Sequence, residues 1–396
     1  MANILMTWEL GGGLGHMMPM RALGDGLVRA GHRVYAALRD LTVAHRAFAG
    51  SHITCLQAPF KQRNTRDSHA EIITFSHILW NTGFSDAQGL WLLAGAWRQL
   101  FEMIKPDMII FDHSPTALLA SRGLPVKRVL LGTAGFSCPP LKSPMPNLRP
   151  WLRTSPDALI QDEANSLHVA NEVLTRWQLP TMSNLSDLFN TNGDILLYTL
   201  PVLDPFAPRE QGRYFQVVAP EDGVAPHWPE GTGPKVLCYL KPFPALGALL
   251  KHLTARGVPA LLFVPDISPQ AQKQFASPLL HFSDKPLNLP KLASQCDLAI
   301  LNGTNAATIQ MLQAGVPTLQ VPIVLEQVYT ARAVERLGAG LGTSPEDAAA
   351  LTRKLDLLLQ DGRWRDGARR FAASPQAVDA EPIEHAVSML LRRLQD

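Results

Sequence analysis

DLAILNGTNAATIQMLQAGVPTLQVPIVLEQVYTARAVERLGAGLG, residues 297–342, decides how this chain is read. Asp297–Leu301 is an almost unbroken apolar run and predicts a buried strand. Asn302–Asn305 is a turn of small residues, and a helix follows to near Gly315. Thr318–Val321 predicts a second strand, closed by Pro322, after which Glu326 and Gln327 open another helix. Amides at the first helix start have no partner within the helix. They carry partial positive charge and suit an anion such as a diphosphate. Glu326 and Gln327, one βαβ step away, reach the same crevice and can bond several hydroxyls.

The same habit recurs along the chain. Ile4–Thr7, Val34–Leu38, Met108–Phe111, Val129–Leu131 and Ile195–Tyr198 are short apolar runs in the first half. Val236–Leu240, Ala260–Val264 and the two strands above repeat it in the second. Nearly continuous apolar strands separated by helical stretches predict parallel sheets covered on both faces, here two doubly wound α/β domains. Pro201–Pro234 is rich in Pro, Gly and charge and reads as the linker. The expected domains are 1–215, 216–375, and a C-terminal helical segment 376–396 that packs back on the first domain. Pro19 is expected to open the first helix, with Met20, Leu23 and Leu27 on its buried stripe.

The bulk numbers exclude several classes. A chain of 396 residues, 46% hydrophobic and 18% charged, is long enough for two full cores and carries no disorder signature. A net charge of +2 without a lysine run gives no expectation of a nucleic-acid partner. No run is long enough to cross a bilayer, and the N-terminus reads as a strand rather than a leader. The expected location is cytoplasmic, with peripheral membrane contact left open. Four dispersed cysteines predict reduced thiols, and no Cys/His spacing predicts a zinc site.

Gly315-Val316-Pro317, Leu312, Pro322 and Gln327 resemble the donor signature of family 1, UDP-glycosyltransferase-like glycosyltransferases of the GT-B fold. That signature runs roughly His-Gly-Gly-x-Gly-Thr-x-x-Glu-Ala-Leu-x-x-Gly-Val-Pro, then Pro-x-x-x-Asp-Gln. Its head differs here. Asn302 replaces the phosphate-binding His, Thr304 and Ala306 replace glycines, Ala307 the Thr, Gln310 the ribose-holding Glu, and Glu326 the Asp. The N-terminal loop, Glu9 to Pro19, contains Gly15-His16-Met17-Met18-Pro19, and Gly31-His32-Arg33-Val34 follows. Both are similar to the opening of the same family. A dinucleotide fingerprint read from Gly11 and Gly13 fails, because His16 stands at the third glycine.

The resemblance implies two Rossmann-like domains facing across a cleft. It further implies an inverting transfer of a sugar from a nucleoside-diphosphate sugar, UDP or dTDP, to a small acceptor alcohol. His16 is then the general base, with capping or phosphate binding as its alternatives. Asp112, ending Pro106-Asp107-Met108-Ile109-Ile110-Phe111-Asp112, is the carboxylate that orients it, with a helix cap as its alternative. The donor would lie on Gly303, Thr304, Asn305, Ala306 and Ala307, with Asn302, Gln310, Glu326, Gln327 and Gly15 around it. Lys241, after the first strand of the second domain, would replace the charge lost at Asn302. Asn288 falls where the family passes the nucleobase. His113 competes for the role of base, with its ring pointing away from Asp112 if the strand continues. The apolar stretch Ile72–Ile104 is either core or the wall of an apolar acceptor pocket, with Gly83 and Gly89 allowing a loop. No metal and no permanent cofactor are expected. The competing readings are a non-catalytic nucleotide-sugar-binding protein and a sugar-nucleotide epimerase.

Overall fold

The computed structural model describes all residues except 13, 43, 63–66, 134–136, 194, 217–222 and 396, and the backbone alone at Leu14. Gly13 of the N-terminal loop and part of the expected linker therefore lie outside the described residues. The chain forms two compact units. The N-terminal unit comprises Met1–Tyr198, Phe206–Gln216 and Glu381–Asp396, and the C-terminal unit Thr199–Pro205 and Val217–Ala380. The bounds differ from single cuts near 215 and 375. Thr199–Pro205 joins the C-terminal unit because Leu200 and Leu203 pack with Ile309, Leu312, Ala333 and Val334.

The N-terminal unit is built on seven strands: β1 Asn3–Trp8, β2 Arg33–Leu38, β3 Thr54–Gln57, β4 Met108–Asp112, β5 Lys127–Gly132, β6 Ile195–Leu197 and β7 Gly212–Tyr214. They form one parallel sheet in the order β3-β2-β1-β4-β5-β6-β7. The C-terminal unit holds β8 Val236–Tyr239, β9 Ala260–Phe263, β10 Leu280–Phe282, β11 Leu298–Leu301, β12 Thr318–Gln320 and β13 Gly340–Gly342. These too are parallel, in the order β10-β9-β8-β11-β12-β13. Each sheet begins in the middle, winds to one edge, then returns and winds to the other. This is the doubly wound order, and its chain reversal opens a crevice between the first and fourth strands at their C-terminal ends. In the N-terminal unit that place lies past β1 and β4. In the C-terminal unit it lies past β8 and β11.

Both sheets are covered on two faces, which is why the interior strands are apolar throughout. MIIFD of β4 and LAIL of β11 are buried at every position. The first helix runs Leu14–Arg29, with Met17, Met20, Leu23 and Leu27 fully buried. It begins five residues before Pro19, which lies inside it rather than at its first position. Proline lacks an amide hydrogen, so Gly15 loses the helical bond its carbonyl would accept. The early start places His16 on the helix's first turn. The C-terminal helix Ile383–Gln395 packs on this first helix, and its Ala386 and Leu390 are buried. A side chain at Gly26 would meet Val387 at 2.5 Å, so the glycine sets that close approach.

Most of the apolar stretch 72–104 is core. It forms helices Phe75–Asn81 and Ala87–Ile104, and Phe75, Leu79, Leu90, Trp97 and Phe101 are buried. Trp97 Nε1 donates to Thr116 Oγ1 at 3.0 Å. Leu92 and Met103 are the large apolar side chains it leaves exposed. Gly83 takes positive φ between the helices, while Gly89 lies within the second, where its amide donates to the N-cap Asp86 at 2.8 Å. No disulfide links the four cysteines, three of which are buried. Among the described residues, no helix is long and apolar enough to cross a membrane.

Candidate active site

At the crevice of the N-terminal unit the sheet register sets Trp8, the last residue of β1, beside Asp112, the last of β4. The chain leaves β1, turns through Gly11 and enters the first helix, which returns His16 over the strand ends. His16 Nδ1 lies 3.0 Å from both carboxylate oxygens of Asp112, and both residues are buried. The Trp8 ring stacks on His16 with centroids 5.4 Å apart, and its Nε1 donates to Leu10 O at 2.6 Å. Carboxylate and indole together fix the imidazole, and a hydrogen on Nδ1 donated to Asp112 would make Nε2 the accepting nitrogen of the neutral ring.

Nε2 faces Gly11. A Cβ at Gly11 would sit 2.4 Å from it, and Gly11 has φ +94°. Glycine is required there on two grounds, backbone conformation and room for the nitrogen.

Asp112 does not cap the helix Pro115–Ala120. Glu9 does. Its Oε1 accepts from Ala117 N at 2.7 Å, and its Oε2 from Thr116 N at 3.3 Å and Thr116 Oγ1 at 2.6 Å. The helix cap thus ties the end of β1 to the element after β4 and leaves Asp112 for His16. Glu9 was not singled out from the sequence, where an acid one residue past a strand reads as loop. Burial pushes its carboxyl from the usual 4.5 up to about 8, against the bonds from Thr116 and Ala117. Between those values the folded protein holds a proton that the unfolded chain has released. The Glu9 contribution to stability is therefore full below pH 4.5 and is lost as pH rises toward 8, by up to about 1.4 kcal/mol per pH unit. Denaturant midpoints measured from pH 5 to 8 should show this slope, and Glu9→Gln should flatten it. Equal slopes for the two proteins would refute the assignment.

The premise for the orientation expected of His113, a strand that continues past Asp112, does not hold. The strand stops at Asp112, and His113 adopts φ +45°, so the alternation of a continuing strand does not apply. Its ring centroid lies 6.4 Å from that of His16. Burial first, then the nearby His16 and Arg39, lower its pKa to about 3, so it is a neutral imidazole. Its Nε2 is buried and has no partner among the described residues.

The C-terminal unit forms its own constellation past β8 and β11. Gly303 takes φ +86°, and a Cβ there would lie 2.8 Å from the Gln327 carbonyl oxygen. This tight turn sets Thr304 as the N-cap of the helix Asn305–Gln313. Thr304 makes no side-chain cap bond. The first helical bond is Thr308 N to Thr304 O, so the amides of Asn305, Ala306 and Ala307 precede the hydrogen-bonded ladder. The Ala307 side chain itself is core. Gln310 is half-buried on the same helix. Asn305 Oδ1 accepts from Thr199 Oγ1 at 3.2 Å.

The side chain of Asn302 is committed. Its Oδ1 accepts from Lys241 N at 2.6 Å, and its Nδ2 donates to Val321 O at 3.0 Å. One amide therefore joins the ends of β8, β11 and β12. It fixes Lys241 beside the helix start, with the lysine side chain exposed. Gln327 also has a local task, since its Oε1 accepts from Ile323 N at 2.8 Å. Glu326 and Gln327 are half-buried in the first turn of the helix Leu325–Arg336. Asn288 caps the helix Leu289–Ala293, accepting from Lys291 N at 2.9 Å. Gly15 is exposed on the first turn of its helix, and a Cβ there would meet nothing.

The sequence predictions thus fall into two groups. His16, Asp112 and Gly15 lie in the N-terminal unit. Lys241, Asn302–Ala307, Gln310, Glu326 and Gln327 lie in the C-terminal unit.

No family model matches the chain. A curated protein of Bacillus licheniformis, NDP-glycosyltransferase YjiC, is 38% identical over 72 residues, 18% of each chain. The match thus spans less than a fifth of that relative's length. Solved structures match over the whole chain. The Streptomyces sp. SF2575 glycosyltransferase SsfS6, complexed with thymidine diphosphate, is 18% identical, with TM-score 0.65, over 99% of this chain and 100% of its own. CalG4, the calicheamicin glycosyltransferase, is 15% identical, with TM-score 0.70, over 100% of this chain and 98% of its own. Two doubly wound parallel sheets, each with its crevice past the first and fourth strands, matched over full length, give this chain the GT-B fold of those glycosyltransferases.

Proposed function

We propose that the protein is an inverting glycosyltransferase that moves a sugar from a nucleoside-diphosphate sugar to a hydroxyl of a small, apolar acceptor. The carrying observation is the His16–Asp112 pair, with Nδ1 held by the carboxylate and Nε2 turned to the glycine of the loop. The acceptor O–H gives its proton to His16 Nε2 as its oxygen bonds to the anomeric carbon. The bond from that carbon to the phosphate oxygen breaks, and its electron pair leaves with the diphosphate. Asp112 stabilises the imidazolium that forms. The amides of Asn305–Ala307 receive the growing negative charge on the leaving group. Glu326 and Gln327 bond the sugar hydroxyls, and Gln310 lies near the ribose. The thymidine diphosphate bound to SsfS6 supports a nucleoside diphosphate as the product released, with dTDP and UDP the first to try.

Lys241 supplies the cation on this reading. Lys241→Ala should weaken nucleoside diphosphate binding about tenfold, about 1.4 kcal/mol. Calorimetry with dTDP and UDP checks it, and unchanged affinity removes the role.

A non-catalytic nucleotide-sugar-binding protein draws support from Asn302, whose side chain is taken up by the backbone of its own unit. The deciding experiment is a thermal-shift screen with nucleoside diphosphates and their sugars, followed by turnover with a panel of hydroxylated aglycones. Binding with turnover supports the transferase, and binding without turnover the second reading. Absence of binding overturns both.

A further inference from the structure

We propose that His69, His77 and Asp162, in the N-terminal unit and apart from the His16–Asp112 pair, form a binding site for a zinc-class divalent cation. The three residues come from separate elements: the segment before the helix Phe75–Asn81, that helix, and the long helix Pro156–Arg176. One donor atom from each lies within 4.8 Å of the others.

His77 is buried, and its Nε2 lies 2.8 Å from Asp162 Oδ2. Its Nδ1 lies 3.2 Å from the Ile73 amide and 3.3 Å from the Glu71 carbonyl oxygen. Without metal, Nδ1 accepts from Ile73 and the Nε2 hydrogen goes to Asp162. With metal, that hydrogen moves to Nδ1 and bonds the Glu71 carbonyl, as ligating imidazoles usually do; the Ile73 amide gives up its bond to Nδ1, and Nε2 is freed for the ion.

His69 is held by its backbone. Its amide donates to Asn81 Oδ1 and its carbonyl accepts from Asn81 Nδ2, both at 2.8 Å. Its ring lies flat on His77, centroids 3.8 Å apart and planes 4° from parallel. Parallel rings do not converge on one point, so the ion binds at their common edge as the half-buried His69 ring opens from the stack.

Two imidazoles and a carboxylate with an open position suit Zn²⁺ or Co²⁺, and poorly suit Mg²⁺, which prefers oxygen. The bound ion ties the 67–73 segment to the helix Pro156–Arg176. The role is structural and does not depend on the proposed transfer.

The test uses the full chain, stripped with chelator and titrated with ZnCl₂, CoCl₂ or MgCl₂. One equivalent of Zn²⁺ should bind, raise the melting temperature, and be replaceable by Co²⁺ with visible absorption. His69→Gln and Asp162→Asn should each weaken Zn²⁺ binding at least tenfold while the far-ultraviolet dichroism is unchanged. Both sit at partly exposed positions, so the fold should tolerate them. Zn²⁺ affinity equal in wild type and both variants, absence of stoichiometric binding, or equal response to Mg²⁺ would overturn the proposal.

Discussion

His16→Ala should lower kcat for sugar transfer by about 10²–10⁴ while leaving the affinity for nucleoside diphosphate unchanged. The expectation follows from geometry in the N-terminal unit. The imidazole is clamped between the Trp8 ring and the Asp112 carboxylate, and one nitrogen is left facing the Gly11 loop. An acceptor alcohol is a weak nucleophile until its proton is being removed, so removal of the base acts on the chemical step. The residues assigned to the donor belong to the other unit, which is why nucleotide binding should survive. Asp112→Asn should have a related effect for a different reason. An amide in its place can present a hydrogen to Nδ1, which favours the tautomer that cannot accept a proton at Nε2. Initial rates across pH, with calorimetry for dTDP and UDP, check both. A His16→Ala enzyme with wild-type kcat would remove the base.

Gly303→Val should abolish donor binding in the accessible range, a loss of at least about 10²-fold in affinity. Two effects combine. Positive φ is costly for a β-branched residue, on the order of 1–3 kcal/mol. The new Cβ would also lie 2.8 Å from the Gln327 carbonyl oxygen and 3.1 Å from the Gln327 Cβ. Relief of that contact must shift the start of the helix Asn305–Gln313 or that of Leu325–Arg336, and both carry proposed donor contacts. Melting should fall by several degrees, and calorimetry should detect no nucleotide binding in the folded variant. Wild-type affinity would place the diphosphate elsewhere.

The fold was legible where burial is two-sided. All nine strands expected from continuous apolar runs are present, and each lies inside a sheet. The four that carry no such signal, TCLQ, GRY, LHF and GLG, are the four sheet edges. An edge strand buries less, runs only three or four residues here, and needs no alternating or continuous apolar pattern. The tail of the donor motif was legible for a similar reason. Gly315 takes φ +72° past its helix, Val316 enters the core, and the Pro317 carbonyl accepts from Ala299 at the start of the β11–β12 pairing. These demands are steric and leave a plain residue signature.

The head of the motif was less legible, because the residue that differs was put to another use. Asn302 reads as a weak phosphate ligand in sequence, whereas in three dimensions it ties three strand ends together. Glu9 reads as a loop acid because no motif links it to the amides it caps, 107 and 108 residues on, and no motif links Asp162 to His77, 85 residues before it. Pro19 misled by one turn, since a proline is tolerated within the first helix as well as at its start.

The most direct test of the account is the anomeric configuration of the product. A nucleoside-diphosphate sugar of defined anomer is incubated with an acceptor that turns over, and the linkage is read by the proton coupling at the anomeric carbon. A single displacement by an alcohol activated at His16 predicts inversion, an α-linked donor giving a β-linked product. Retention, or release of the sugar to water with no transfer, would contradict it.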